Sequence, residues 1–108
     1  MMRISREALK EMIDRDEDQF TLVDAREEKA FEKEHIPGAI SIPSSQLGEN
    51  ALGRLDKDET IVTYCSNIHC EACTIAAEKL EKYGYERVMV FKGGLKNWKD
   101  AGYATEKA

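Results

Sequence analysis

The chain has 108 residues, a length that fits one domain with one hydrophobic core. Hydrophobic residues make up 42% of it, and no apolar run approaches the roughly 18 residues of a membrane-spanning helix. The net charge is −5 and the basic residues form no stripe, which argues against a nucleic-acid-binding surface. We therefore expect a single domain over residues 1–108 that binds neither nucleic acid nor a membrane.

The start of the chain and its cysteines bear on location. Residues 1–13 carry charges throughout, which is unlike a secretory signal peptide. Three cysteines fall within nine residues, a spacing more typical of reactive or metal-binding thiols than of a disulfide framework. Because we find neither a membrane span nor a signal-peptide pattern, we expect a cytoplasmic protein, and thiols are mostly kept reduced in that compartment.

The apolar pattern predicts helices and strands in alternation, joined by short connections. In chain order, we expect a helix capped by Ser5, a strand at 20–23, a short charged helix at 26–33, a turn at 35–38, a small strand at 39–42 and a helix at 44–55. There follow a strand at 60–64, a helix with its apolar face over 73–83, a strand at 87–91, a tight Gly93-Gly94 turn and a last helix ending at Gly102. This order predicts an α/β fold, with a mostly parallel sheet covered by helices on both faces.

Two candidate functional residues stand directly after predicted strands. Asp24 follows the strand at 20–23, and Cys65 follows the strand at 60–64. In open parallel sheets the ligand crevice lies outside the carboxyl ends of the strands, so both residues can lie on one rim.

Cys65 is the first candidate for chemistry. Five loop residues separate it from the next helical pattern, so backbone N–H groups of Ser66 through Cys70 could curl toward its sulfur. Partial positive charge there would favour the thiolate, which is the nucleophilic form. We expect a nucleophile in a shallow oxyanion pocket; the alternative is a small buried residue that ends a strand.

The other two cysteines and the loop histidine have less certain roles. Cys73 lies on the apolar face of its predicted helix and is expected to be a core residue. Cys70 could resolve an oxidised or persulfidated Cys65 through a disulfide, or it could fill space. His69 could lower the thiol pKa when protonated, or it could be an exposed polar residue.

The spacing Cys-x4-Cys-x2-Cys matches the first three ligands of a plant-type iron–sulfur loop. The chain has only these three cysteines, so the fourth ligand of such a cluster is missing. By residue type, His69 or His35 could supply the fourth ligand of a zinc site. However, Cys73 is predicted to lie on the apolar face of its helix, which argues against its being a ligand. We therefore expect no metal and no cofactor.

Five short motifs in order give the chain a family resemblance. They are Asp24-Ala25-Arg26, the turn His35-Ile36-Pro37-Gly38-Ala39, Tyr64-Cys65, an alanine-rich helix before Gly84-Tyr85, and Gly93-Gly94 with Trp98 and Ala101-Gly102-Tyr103. With these motifs the chain resembles the single-domain rhodaneses, a sulfurtransferase family. The resemblance implies a rhodanese-like fold in which Cys65 takes sulfane sulfur as a persulfide. The donor would be thiosulfate, polysulfide or a protein persulfide, and the acceptor a thiol or cyanide.

The same resemblance assigns the remaining site residues. A substrate-binding loop is implied at Ser66, Asn67, Ile68, His69, Cys70 and Glu71. Asp24 and Arg26 are expected to support it through a buried ion pair or hydrogen bonds, and His35 as a hydrogen-bonded residue of its turn. Trp98 is expected in the core, and the acidic run 14–18 on a solvated helix end.

The loop departs from the pattern of many active members. Ile68 and Cys70 stand where those members carry glycine and arginine, and Glu71 adds negative charge. Losing the arginine removes a bidentate anion clamp, so we expect weak use of thiosulfate, a dianion. Two alternatives to sulfur transfer therefore stay open: a non-catalytic binding or regulatory module of this fold, and a thiol redox sensor using Cys65 and Cys70.

Overall fold

A computed structural model describes residues 1–15, 20–48 and 53–108 of the chain. The described helices and strands are β1 (Met2–Arg3), α1 (Arg6–Asp14), β2 (Phe20–Asp24), α2 (Glu28–Lys33), β3 (Ile40–Ser41), β4 (Thr60–Tyr64), α3 (Ala72–Lys82), β5 (Val88–Phe91) and α4 (Gly94–Asp100), with a 3-10 turn at Ser44–Gln46. The strands form a parallel sheet in the order β1-β5-β4-β2-β3. Strand β4 is therefore central, and the residue after it lies in the middle of the carboxyl rim.

Strand β4 sends alternate side chains to two apolar layers, as the period of a strand requires. Ile61 and Cys65 join a cluster with α3 residues such as Leu80. Val62 joins the opposite cluster, which contains Trp98 of α4 and a buried leucine of α1. The prediction of an α/β fold with helices on both faces of a parallel sheet is confirmed.

Several local predictions are also confirmed. The Ala8 amide donates to the Ser5 hydroxyl at 3.1 Å, so Ser5 caps α1. Gly84 has a positive φ of 95° just beyond α3, a backbone conformation that glycine adopts without a Cβ penalty. Trp98 is only 1% exposed, as expected for a core residue.

The predicted helix over 44–55 is wrong in its described part. Ser44–Gln46 form a 3-10 turn, Leu47 has extended backbone angles, and Gly53 and Arg54 are again in 3-10 geometry. Leu47 and Leu55 are both buried in the cluster that α3 contributes to. Part of the predicted helix, 49–52, lies outside the described residues, as does 16–18 of the acidic run.

Strand β1 has no counterpart in the sequence-based prediction. It is two residues long, and it pairs Met2 with Met89 and Arg3 with Val90 of β5. So short a strand has no readable alternation, and its pairing partner is distant in sequence. None of the helices in the described part of the chain combines the length and the apolar character needed to cross a bilayer.

Candidate active site

The segment 65–71, here called the cysteine loop, connects the end of β4 to the start of α3. The first amides of α4 hold its near end: Leu95 donates to the Cys65 carbonyl at 2.8 Å, and Lys96 donates to the Ser66 carbonyl at 2.9 Å. Two backbone carbonyls of the loop are thus held by amides in the first turn of α4, which lies near the C-terminal end of the sequence.

Gly94 makes this clamp possible. Its φ is +69°, and a Cβ at this position would lie 2.5 Å from the Cys65 carbonyl oxygen and 2.8 Å from the Asn67 amide nitrogen. Both the backbone angle and the lack of space require glycine here. The Gly93-Gly94 pair expected only as a tight turn is therefore part of the support for the cysteine loop.

Asn67 organises the interior of the loop. Its side-chain oxygen accepts the His69 amide at 2.9 Å, and its carbonyl accepts the Cys70 amide at 3.1 Å. These two amides are consequently committed within the loop. The expectation that all amides from Ser66 through Cys70 turn toward the Cys65 sulfur is wrong for this pair.

Cys65 is fully buried, with 0% of its surface exposed. Its thiol donates a 3.4 Å hydrogen bond to the Cys70 carbonyl, a contact that only a protonated sulfur can make. A hydrogen bond to the Cys73 side chain, followed by burial, raises the pKa of Cys65 above its usual range. The expectation of an ionised, reachable thiol in a shallow pocket is therefore wrong for this conformation.

Cys73, the second residue of α3, is buried in the same apolar cluster as Cys65. Interaction with the Cys65 side chain and the nearby positive charge of Lys92 lower the pKa of Cys73 to about 7, against the opposing effect of burial. The pKa of Cys73 is thus lowered and that of Cys65 raised, so the Cys73 thiolate is the more favourable of the two. Cys73 is 0% exposed, so its expected core position is confirmed.

Cys70 completes a cluster of three thiols. It is partly exposed and packs against the apolar cluster that contains Cys65 and Cys73. Burial and a hydrogen bond with the Cys65 side chain raise the pKa of Cys70, while the amides of Ala72 and Ser66 oppose that rise. None of the three cysteines forms a disulfide, and all three belong to or pack against one apolar cluster.

Lys92 is a site residue that the sequence analysis missed. It follows β5, and its ammonium donates to the Cys70 carbonyl at 2.6 Å and pairs with Glu71 at 3.4 Å. Its side chain is only 12% exposed, whereas that of Glu71 is 68% exposed. The strand-end rule that drew attention to Cys65 would also have selected Lys92, because β5 is the neighbour of β4 and ends at the same rim.

The outer surface of the loop borders two shallow cavities. One is lined by Arg26, Ser66, Leu95, Lys96, Lys99 and Asp100. The other is lined by Asn67, Ile68, His69, Gly93, Lys96, Asn97 and Asp100. Ile68 is 58% exposed at the loop crown, and His69 beside it is exposed as well. The loop residues and Arg26 thus meet at the rim, where both signs of charge are present.

Asp24 is a fully buried hub below that rim. Its carboxylate accepts a 2.6 Å hydrogen bond from the Tyr64 hydroxyl and pairs with Arg26 at 2.7 Å. Arg26 also donates to the Glu34 carbonyl at 2.6 Å, and the Tyr64 hydroxyl accepts the Ile36 amide at 3.1 Å. The network ties the segments after β2 to the end of β4, immediately before Cys65. Its burial and bonding fit the expected supporting role of Asp24 and Arg26.

His35 has structural contacts. Its Nδ1 lies 2.8 Å from the Phe31 carbonyl, and its ring stacks on the Phe31 ring at 3.9 Å. Its backbone amide donates to the Glu106 carbonyl at 2.9 Å. These contacts hold the turn after α2 and do not involve the thiol cluster.

Within residues 1–15, 20–48 and 53–108, no group of three or more His, Cys, Asp or Glu side chains is arranged to hold a metal ion. In this arrangement Cys65, Cys70 and Cys73 are free thiols.

Comparison with known proteins places this site in a family. A family model described as "Rhodanese-like domain" matches residues 5–101. The chain belongs to the rhodanese-like domain family. The family resemblance read from the motifs is thereby confirmed.

Relatives with descriptive names support a sulfur-transfer family. The Bacillus subtilis "Putative sulfur carrier protein YrkF" is 33% identical over 95 residues, which are 88% of this chain and 49% of that protein. The chain therefore spans about half the length of YrkF. "Thiosulfate sulfurtransferase GlpE" from Coxiella burnetii is 28% identical over 78 residues, which are 72% of this chain and 70% of GlpE.

A solved structure agrees with the fold. The solution structure of the rhodanese-like domain of the Alr3790 protein from Anabaena sp. has a TM-score of 0.88 and 30% identity. The match covers 100% of this rhodanese-like chain and 80% of the Anabaena one.

Proposed function

We propose that this rhodanese-like protein carries sulfane sulfur as a persulfide on Cys65 and transfers it to a thiophilic acceptor. The observation that carries the proposal is the place of Cys65 at the carboxyl end of the central strand, where its thiol donates to the Cys70 carbonyl at 3.4 Å. Cys73 is buried in the same cluster, and its lowered pKa makes it the candidate acceptor for the Cys65 proton. The names of YrkF and GlpE support the same reaction class.

The proposed reaction has two steps. Cys65 passes its proton to the Cys73 thiolate and attacks a sulfane sulfur, whose bond to the donor breaks as the donor leaves with the electron pair. The acceptor then attacks the outer sulfur of the persulfide, and Cys65 leaves as a thiolate that recovers the proton from Cys73. The sulfur atom changes partners twice, and no external oxidant or reductant is consumed.

The charges around the loop bear on the choice of donor. Lys92 is the cation that acts on the cysteine cluster, but its charge is shared with Glu71 and directed at a carbonyl oxygen. The cations of the outer cavity are each paired with a carboxylate: Arg26 with Asp24, Lys96 with Asp100 and Lys99 with Glu34. A single shared ammonium is a weaker anion site than the bidentate arginine that many members carry. Polysulfide or a protein persulfide is therefore proposed as donor in preference to thiosulfate, and a thiol or cyanide as acceptor.

Intact mass spectrometry tests the proposal. The protein is incubated with inorganic polysulfide, separated from excess reagent and weighed, alongside Cys65→Ser as the matched variant. We expect wild type to gain one sulfur atom on Cys65, located by peptide mapping, and to lose it on adding cyanide. A wild-type protein that gains no sulfur on Cys65 would refute persulfide transfer and favour a binding or regulatory module.

A thiol redox response is the second candidate function, and the packing of Cys70 against the buried cluster of Cys65 and Cys73 favours it. Mild oxidation would remove two hydrogens and join Cys65 to Cys70 or Cys73. Peptide mapping after mild hydrogen peroxide treatment would identify the pair, and Cys70→Ser and Cys73→Ser would each test one partner. Oxidation of wild type to sulfenic acid without a disulfide would argue against this sensor.

The single domain over residues 1–108 and the cytoplasmic setting remain predictions from the sequence. The proposed chemistry is compatible with a reducing compartment, where the three thiols would stay available.

A further inference from the structure

The burial of Cys65 raises the question of how sulfur reaches it. Cys65 is 0% exposed, whereas Cys70, five positions later in the same loop, is partly exposed. A donor approaching from solvent therefore meets Cys70 before it meets Cys65. The Cys65 thiol hydrogen-bonds to the Cys70 carbonyl at 3.4 Å, and Cys70 packs against the buried cluster that contains Cys65.

We propose that Cys70 receives sulfane sulfur first and passes it to Cys65 inside the loop. The proposal rests on the proposed function, because it specifies the route by which the Cys65 persulfide forms. It gives Cys70 a catalytic role where the sequence analysis left a choice between a resolving thiol and a space-filling residue.

The backbone of Cys70 is anchored on both sides. Its amide donates to the Asn67 carbonyl at 3.1 Å, and its carbonyl accepts the Lys92 ammonium at 2.6 Å. These two hydrogen bonds fix the partly exposed Cys70 between solvent and the buried Cys65.

Each step of the relay balances. In the first, Cys70 attacks the sulfane sulfur of the donor and the sulfur–sulfur bond of the donor breaks; a polysulfide leaves as a shorter polysulfide and a persulfide as a thiolate, and the leaving group takes up the Cys70 proton. In the second, Cys65 attacks the outer sulfur of the Cys70 persulfide, the sulfur–sulfur bond to Cys70 breaks, and one proton moves from Cys65 to Cys70. The outer sulfur ends on Cys65, both cysteines regain their starting count of protons, and no oxidant is needed.

Site-resolved loading with inorganic polysulfide tests the relay. We expect wild type to carry the persulfide on Cys70 at the earliest times and on Cys65 later. Cys70→Ser should load Cys65 at least about tenfold more slowly, and Cys65→Ser should still gain one sulfur, on Cys70. The control is the urea unfolding midpoint of Cys70→Ser, which should match that of wild type, so that slower loading reports the missing thiol and not a disturbed fold.

The outcomes separate the relay from the proposed function. If Cys65 loads at the wild-type rate in Cys70→Ser, the relay is wrong and persulfide transfer stands. If wild type never carries sulfur on Cys65, the proposed function fails and the relay fails with it. Release of sulfide with a Cys65–Cys70 disulfide would also overturn the relay, because Cys65 would then have attacked the inner sulfur. Should Cys70→Ser not fold, the order of loading in wild type decides.

Discussion

Lys92 donates a 2.6 Å hydrogen bond to the Cys70 carbonyl, which also accepts the Cys65 thiol at 3.4 Å. One carbonyl oxygen thus joins a cation from the neighbouring strand end to the proposed nucleophile. The arginine that many family members carry in this loop is absent, and a largely buried lysine from outside the loop supplies a positive charge beside it.

Lys92→Met should slow sulfur loading from polysulfide by about tenfold, because a charge-assisted hydrogen bond that holds the loop is lost. Lys92→Arg should keep most of the rate, since it keeps the charge. The measurement is the initial rate of persulfide formation on Cys65. Lys79→Met is the matched control, because Lys79 also donates to a backbone carbonyl at 2.6 Å, that of Ser44. An equal loss of rate in both variants would contradict a specific role for Lys92.

The thiol pair should ionise in a defined order. The pKa of Cys73 is lowered from 9.0 to about 7, whereas that of Cys65 is raised. Near neutral pH, Cys73 should therefore lose its proton first, while Cys65 stays protonated. Titration of thiolate ultraviolet absorbance should show this step in wild type and not in Cys73→Ser. A retained step near pH 7 in Cys73→Ser would reassign it to another thiol.

The same shift predicts how stability depends on pH. The folded state favours the Cys73 thiolate form more than the unfolded chain does, so between about pH 7 and 9 the unfolded state holds more protons. Stability of wild type relative to Cys73→Ser should therefore rise from pH 7 to pH 9, and the contribution should vanish as pH falls below 7. Urea unfolding at several pH values measures it; a difference independent of pH would contradict the assignment.

Asp24→Asn should destabilise the fold by about 3 kcal/mol or more, because it leaves Arg26 without its buried carboxylate. Arg26 and Asp24 are 10% and 0% exposed, so solvent screens their interaction little. Lys10→Gln removes the exposed Lys10–Asp14 pair and should cost no more than about 1 kcal/mol. Equal urea midpoints for the two variants would contradict the hub role of Asp24.

Gly94→Ala should disturb the cysteine loop as well as the backbone. Gly102→Ala is the matched control, because Gly102 has a φ of +80° and open space around its Cβ position, whereas a Cβ at Gly94 meets the Cys65 carbonyl at 2.5 Å. We expect about 1–3 kcal/mol of backbone strain at either position, and a loss of sulfur loading only for Gly94→Ala. Loading that falls equally in both would show that the contact with the loop is unimportant.

Apart from β1, the alternation of strands and helices could be predicted from the sequence, because apolar periodicity, the Ser5 cap and the glycine that ends α3 are local properties of the chain. The position of Cys65 after β4 was also predicted, since the end of an apolar run and the start of a helical pattern can be read directly. The prediction failed in the described part of 44–55, where a 3-10 turn at Ser44–Gln46 is followed by extended backbone at Leu47.

Only the tertiary structure determines how far the thiols are buried and which of them holds its proton. Three features depend on distances between segments that are apart in the chain: the burial of Cys65, its shared cluster with Cys73, and the hydrogen bond from Lys92 to the Cys70 carbonyl. A cysteine after a strand has the same local pattern whether its thiol opens to solvent or lies under a loop clamped by α4. Protonation follows from those neighbours, because desolvation and nearby charge set a pKa, and neither is encoded in local spacing.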